Sequence, residues 1–315
     1  MPVRPRYLTN LNLQDFFETA CEIPYQKIDS ELFPNIELWI RRDDLLDPLI
    51  SGNKAYKLIY NLIEVREQGA DTLVTCGGAW SNHIHATAAA GARFGFKTVG
   101  IIRGERPRVL SPTLSDAERF GMTLRFVSRA DYRERHSSGF MNRLGLDGPG
   151  IKYVPEGGAN QRGAEGVKQL GTILEKTSPI EFDECWLACG TGLTLGALAG
   201  ALNSSGIRLV GVSVLKDGGS IERDARYWQG RCADVERQVS VVSEAHCGGY
   251  AKFPDYLAAF QRNFERGTGV PLDPVYTAKM AYALHREDLA GSLSGRRILM
   301  LHTGGLQGCR KSIKK

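Results

Sequence analysis

The sequence has no apolar run near the roughly 20 residues that a membrane-spanning helix needs. Its first ten residues, Met1 to Asn10, lack the apolar stretch of a secretory signal. Paired CxxC motifs of a zinc site are also missing. The seven cysteines, Cys21, Cys76, Cys185, Cys189, Cys232, Cys247 and Cys309, are odd in number and dispersed. Even the closest pair, Cys185 and Cys189, flanks an apolar strand-like run. This usage points to thiols in a reducing compartment, so the expected location is the cytoplasm. A basic stripe is lacking too. Lys plus Arg number 40 against 35 Asp plus Glu, a formal charge of +5, and the cations are scattered. The densest cluster, Arg310-Lys311 and Lys314-Lys315, reads as a solvated tail. These features speak against a nucleic-acid or membrane partner. A mild positive charge still suits an anionic substrate or a phosphate-bearing cofactor. No repeat of fixed period and no low-complexity tract is present.

What is there is an ordinary globular composition. The 315 residues are 42% hydrophobic and 24% charged, enough for about two domains and unlike a disordered chain. Glycine stands out: 36 residues, about 11% against an average near 7%. The glycines cluster, as in loops where backbone approaches a ligand.

Short apolar runs alternate with helical periodicity. Strands are expected at Glu37–Arg41, Thr72–Thr75, Thr98–Ile102, Thr123–Val127, Lys152–Pro155, Glu184–Ala188, Arg208–Val212 and Arg297–His302. Helices are expected at Ala55–Gln68, with Leu58, Leu62 and Val65 on one face, and at Asn82–Phe94, Ser115–Phe120, Ala164–Lys176 and Leu193–Leu202. Three more fall at Ile221–Val235, Phe253–Glu265 and Thr277–Glu287. The polar segment Arg129–Gly150 shows no clear strand and reads as an excursion between two halves. The alternation implies an α/β chain with parallel sheets covered on both faces. Ligands then sit beyond the carboxyl ends of strands, where the glycine clusters fall.

Six constellations could carry chemistry. Cys189-Gly190-Thr191-Gly192-Leu193-Thr194 joins a strand to a helix. It lacks the Gly-Lys-[Ser/Thr] ending of a P-loop and is not a GxGxxG fingerprint. It reads as a phosphate site at a helix N-terminus or as a tight turn. Ser51-Gly52-Asn53-Lys54 precedes a helix, and a desolvated lysine can attack a carbonyl. In Gly77-Gly78-Ala79-Trp80-Ser81-Asn82-His83, Ser81 or Asn82 could cap a helix, and the same helix start could hold a substrate carboxylate. Ser81 sits in no Gly-x-Ser-x-Gly elbow. His83 and His85, two apart, point to different helix faces, so no shared metal is expected. The remaining three are Gly157-Gly158-Ala159-Asn160, Asp273-Pro274-Val275-Tyr276-Thr277 and His302-Thr303-Gly304-Gly305. Tyr276 and Tyr250 are phenols that serve as acid or base if their pKa is lowered; otherwise they are core residues.

Taken in order, Ser51-Gly52-Asn53-Lys54 with Lys57-Leu58, then Ser81-Asn82-His83, Thr191-Gly192-x-Thr194, Asp273-Pro274-Val275-Tyr276 and His302-Thr303-Gly304-Gly305, resemble one family. It is the 1-aminocyclopropane-1-carboxylate (ACC) deaminase and D-cysteine desulfhydrase family of pyridoxal-5′-phosphate (PLP) enzymes. The resemblance runs from about residue 36 to the C-terminus. It implies the tryptophan synthase β-like fold, fold type II, with two open, mostly parallel sheets and helices on both faces. A large PLP-binding domain would comprise 1–55 and 151–315 and a small one 56–150, with a homodimer as the assembly. The resemblance implies that Lys54 forms the Schiff base with PLP. Gly190, Thr191, Gly192, Leu193 and Thr194 would cradle its phosphate, and Asn82 would bond the ring hydroxyl. Thr277 and Thr303 would lie near the pyridine nitrogen or the far side of the ring. Ser81, Asn82, His83, Trp80 and Gly158 would surround the substrate, with Ser81, Tyr276 and Tyr250 in catalytic contact.

The ACC deaminase branch carries an acid after the Asp-Pro-Val-Tyr tyrosine and a leucine in the last loop. Thr277 and Thr303 here match the desulfhydrase branch, which implies α,β-elimination of D-cysteine to pyruvate, ammonia and sulfide. The alternatives are ACC deamination to 2-oxobutanoate and ammonia, or another fold-type-II racemase or ammonia-lyase. A non-enzymatic PLP binder would tolerate loss of Lys54, which is present. Two departures stand out. Ala55-Tyr56-Lys57 replaces the family's Thr-Arg-Lys, and Trp80 replaces its Gln.

Overall fold

The computed structural model describes residues 5–202, 205–216, 218–231 and 239–310. Cys232, the expected helix end at 232–235 and the basic residues 311–315 lie outside them. The chain begins with α1 (Leu13–Cys21), β1 (Tyr25–Ile28), β2 (Glu37–Arg41), α2 (Asn53–Glu67), β3 (Thr72–Gly77), α3 (Asn82–Phe94) and β4 (Lys97–Arg103). It continues with α4 (Pro112–Arg119), β5 (Thr123–Val127), α5 (Arg129–Arg133), α6 (Phe140–Arg143), β6 (Ile151–Val154), α7 (Gln161–Thr177) and β7 (Glu184–Cys189). It closes with α8 (Leu193–Ala201), β8 (Arg208–Ser213), α9 (Ser220–Gly230), β9 (Ser240–Val242), α10 (Asp255–Thr268), α11 (Thr277–Leu289) and β10 (Arg297–Leu301).

Two sheets result. The larger has the order β1-β2-β10-β7-β8-β9 and the smaller β5-β4-β3-β6. Every pairing is parallel except β1 with β2. The smaller sheet draws β6 from beyond residue 150, pairing Thr72 with Ile151 through Thr75 with Val154. β7 is buried along its whole length, as a strand covered on both faces must be. The predicted stripe of α2, Leu58, Leu62 and Val65, is buried in one core with Val167, Leu170 and Leu174 of α7. Each such side chain contributes roughly 1.5–3 kcal/mol.

Helix starts follow local chemistry. Ser81 caps α3, its Oγ accepting from the Ile84 N–H at 3.3 Å. Asn160 caps α7 by accepting from Gly163 at 2.8 Å. The polar excursion after β5 is not a free loop. Tyr132 and Phe140, from α5 and α6, pack on Val74, Cys76 and Ile101 and so cover one face of the smaller sheet. Five elements were not anticipated: α1, the two short helices α5 and α6 of the excursion, the antiparallel edge strand β1 and the three-residue edge strand β9.

A buried polar knot fixes the entry to α2. Arg41 is fully buried, and its Nε lies 3.2 Å from Asp43 Oδ1. Tyr56 donates to the same oxygen at 2.9 Å, and Arg41 Nη2 donates to the Ala20 carbonyl at 2.6 Å. The Asp43 carbonyl accepts from the Gly52 N–H at 3.1 Å. Tyr56, a departure from the family pattern, therefore ties α2 to the end of β2. Asp43→Ala would leave the guanidinium buried and uncompensated, costing about 3–5 kcal/mol. Denaturant unfolding should show that loss as a lower midpoint at constant slope. A loss below about 1 kcal/mol would contradict the role given to the knot.

Candidate active site

The loops after the parallel strands meet in one cavity of about 500 Å³. β3 contributes Gly78, Ser81, Asn82 and His83; β6 contributes Glu156 and Gly157; β7 contributes Gly190, Thr191, Gly192 and Thr194; β10 contributes Thr303. Carboxyl ends of strands from both sheets thus face one space, as open parallel sheets dispose.

Lys54 lies on this wall in the first turn of α2. A left-handed Gly52, φ +62°, turns the chain into that helix, and a Cβ there would stand 2.0 Å from the Thr303 carbonyl oxygen. The close backbone contact sets Lys54 beside the Thr303 loop. Lys54 Nζ donates to Asn53 Oδ1 at 2.7 Å, and Asn53 Nδ2 donates to Thr194 Oγ1 at 3.0 Å. Asn53 therefore links the amine to the glycine loop. Burial lowers the Lys54 pKa from the usual 10.5 to about 8, with the Asp273 carboxylate opposing the shift. Burial also pushes Lys57 well down, assisted by the charge of Lys54.

The glycine loop reaches α8 through Gly192, whose φ is +67°, and no side chain caps the helix. The first amides of α8 are left for an anion, with the helix dipole adding to their pull. Across the cavity, His83 is 1% exposed, and neither ring nitrogen has a hydrogen-bond partner among the described residues. Burial, then the charges of Lys54 and Lys57, hold its pKa well below 6.5. An imidazole stripped of partners on a cavity wall is a donor–acceptor awaiting a ligand.

Tyr250 and Tyr276 also line the cavity. Their pKa values are raised, above all by burial, rather than lowered as phenolate chemistry would require. Both therefore stand as protonated phenols, able to donate. Asp273 sits behind them. Its Oδ1 accepts from the Val275 and Tyr276 N–H groups at 3.1 and 2.5 Å, while Oδ2 is buried without a partner among the described residues. Burial raises its pKa from 3.8 to about 7, against the pull of those amides and of Lys54. The last loop is pinned by His302, which donates from Nε2 to the Pro271 carbonyl at 2.7 Å and accepts at Nδ1 from Gly304 at 3.2 Å.

Of the residues singled out from sequence, Lys54, Ser81, Asn82, His83, Gly190, Thr191, Gly192, Thr194, Tyr250, Tyr276 and Thr303 share the cavity. Four fall elsewhere. Thr277 is fully buried, its Oγ1 accepting from the Asp273 N–H at 2.7 Å, so its hydroxyl closes the turn before α11. Leu193 points into the apolar core from the first turn of α8. Gly158 packs against Lys57 and His83 while its neighbour Gly157 faces the cavity. Trp80 is half-buried outside the lining. His85 turns away from His83 to Asp116, which Arg310 also engages. Asn53, Lys57, Arg103, Arg135 and Glu156 line the cavity without having been assigned a role from sequence. The one-turn spacing from Lys54 could have signalled Lys57; the arginines have no local signal.

Known proteins place this geometry. The profile of the pyridoxal-phosphate dependent enzymes matches residues 23–304. The mitochondrial bifunctional D-cysteine desulfhydrase/ACC deaminase of Arabidopsis thaliana is 32% identical over 297 residues, 86% of this chain and 73% of that one. A putative ACC deaminase of Pyrococcus horikoshii is 30% identical over 296 residues, 88% of this chain and 89% of that one. The crystal structure of an ACC deaminase homologue superposes with a TM-score of 0.78 at 27% identity, covering 97% of this chain and 93% of that one. With two mostly parallel sheets meeting at a lysine-bearing cavity, this chain belongs to the family of pyridoxal-phosphate dependent enzymes.

Proposed function

We propose that the protein is a PLP-dependent lyase of small amino acids that eliminates sulfide from D-cysteine, giving pyruvate and ammonia. The observation that carries this is the pairing, in one cavity, of a lysine of lowered pKa with the uncapped glycine turn before α8. The residues fit the cofactor. Lys54 suits its aldehyde, the α8 amides suit its phosphate, and the orphaned nitrogens of His83 offer a further polar contact. Bound PLP supplies an electron sink for the pair left when Cα loses its proton.

The chain's own residues supply the rest. Lys54 would hold the cofactor through its amine and, when that amine is free and neutral, would accept the Cα proton at Nζ. Gly190, Thr191, Gly192 and Thr194 bind the phosphate, and Asn82 the ring hydroxyl. The start of α3, with Ser81, receives the substrate carboxylate. Tyr250 and Tyr276, protonated, orient the side chain and donate toward it. Thr303 is the threonine of the branch-defining pair that lines the cavity, and Thr277 supports the loop behind it. The two sheets are read as two halves, the expected segment 56–150 extended by β6 against the remainder, whose closure excludes water. A homodimer in the cytoplasm is part of the same reading, supported by the family resemblance and the dispersed thiols.

Purified holoenzyme should release pyruvate and sulfide in equal amounts from D-cysteine. Formation of 2-oxobutanoate from ACC, with D-cysteine inert, would replace this reading by ACC deamination, an activity named for some of its relatives.

A further inference from the structure

Arg103 ends β4 and lies on the cavity wall. A Cβ built on Gly78 would stand 3.9 Å from Arg103 Nη2 and 3.6 Å from the Tyr250 hydroxyl. The guanidinium carbon is 5.9 Å from the centre of the Tyr250 ring. Arg103 and Tyr250 therefore converge on Gly78, whose carbonyl accepts from the Ser81 N–H at 3.1 Å. The pair sits beside the turn proposed to hold the substrate carboxylate.

Two carboxylates line the described cavity, and each already has an arginine neighbour. Glu156 is 2.8 Å from Arg135, and Asp224 is 3.5 Å from Arg223. Among the described residues, Arg103 has no carboxylate partner. A guanidinium keeps its charge at any physiological pH and presents five donors in a planar fork. Placed on a cavity wall without a counter-ion, it is a receptor for an anion.

Building on the lyase reading above, we propose that Arg103 binds an anionic group on the substrate side chain. The site then accepts amino acids bearing a second acidic function beyond the α-carboxylate. The same position suits the thiolate that departs from D-cysteine, whose charge develops at the side-chain end.

Aspartate and asparagine test this as near-isosteres that differ in side-chain charge. Their dissociation constants, for both hands, would be measured on the holoenzyme by calorimetry and as inhibition of D-cysteine turnover. The accepted hand of aspartate should bind roughly tenfold to hundredfold tighter than asparagine, the range of one charge-assisted contact. Arg103→Gln should collapse that ratio toward one, and Arg103→Lys should restore part of it. Because Arg103 is exposed, circular dichroism of both variants should match the parent. Equal binding of the two amino acids by the parent, or a ratio unchanged in Arg103→Gln, overturns the proposal while leaving D-cysteine turnover to support the lyase. A protein that takes up no PLP and binds no amino acid overturns both.

Discussion

Lys54→Ala is expected to lower turnover by at least about 10³-fold with the fold intact, since it removes both the covalent anchor and the proton acceptor. The parent, loaded with PLP, should show a visible absorption band that borohydride abolishes while fixing the cofactor to the protein. The variant should show none. Its thermal unfolding should stay close to that of the parent, because the ammonium carries a burial cost rather than a packing gain. The amine also predicts a pH dependence. Only neutral Nζ attacks an aldehyde. Capture of PLP by the cofactor-free protein should therefore rise about tenfold per pH unit below about 8 and level off above it. The Asp273 carboxylate raises the Lys54 pKa. Asp273→Asn should accordingly move the midpoint further down while keeping an acceptor for the Val275 and Tyr276 amides. Full turnover in Lys54→Ala would remove the lysine from the mechanism.

Gly192→Ala is expected to have the second largest effect, and by a different route. The backbone at Gly192 has a φ of +67°, and a Cβ there would stand 2.6 Å from the Ile221 carbonyl oxygen and 2.9 Å from the Ala225 nitrogen. The left-handed conformation costs an L side chain about 1–2 kcal/mol. Forcing backbone apart in a packed site adds about 1–3 kcal/mol. The relief available is a shift of the α8 start, which is the proposed phosphate site. PLP affinity should fall by at least about tenfold, on the scale of one lost charge-assisted contact. Dialysis against buffer, followed by the visible spectrum, would read it. An unchanged spectrum alongside a lowered unfolding midpoint would assign Gly192 to folding alone.

The strand–helix alternation was legible because its signals are local. α3 matches its predicted bounds, Asn82–Phe94, since Ser81 offers a cap at one end and Gly95, φ +79°, a left-handed stop at the other. β1 escaped notice because its pairing with β2 is a contact between segments that no short window contains. α1 did carry a local signal, the Asn12 side chain accepting from the Gln14 and Asp15 amides.

The site divides in the same way. Lys54, the Gly190–Thr194 turn and the Ser81-Asn82-His83 helix start could be named from sequence, because a reactive amine, a glycine-bearing turn and a capped helix are properties of adjacent residues. Thr277 could not be separated from Thr303. Both are threonines at helix or strand ends, and only packing turns one hydroxyl into the Asp273 turn and the other onto the cavity wall. The protonated state of Tyr250 and Tyr276 was likewise decided by burial. So were the orphaned nitrogens of His83, whereas Arg103 reaches the cavity wall through the placing of β4 in the smaller sheet. Sequence alone determined the covalent chemistry available and the order of elements that carries it. Tertiary structure decided which groups are desolvated and which charges lack partners, because desolvation and Coulomb interaction depend on distances between residues far apart in the chain.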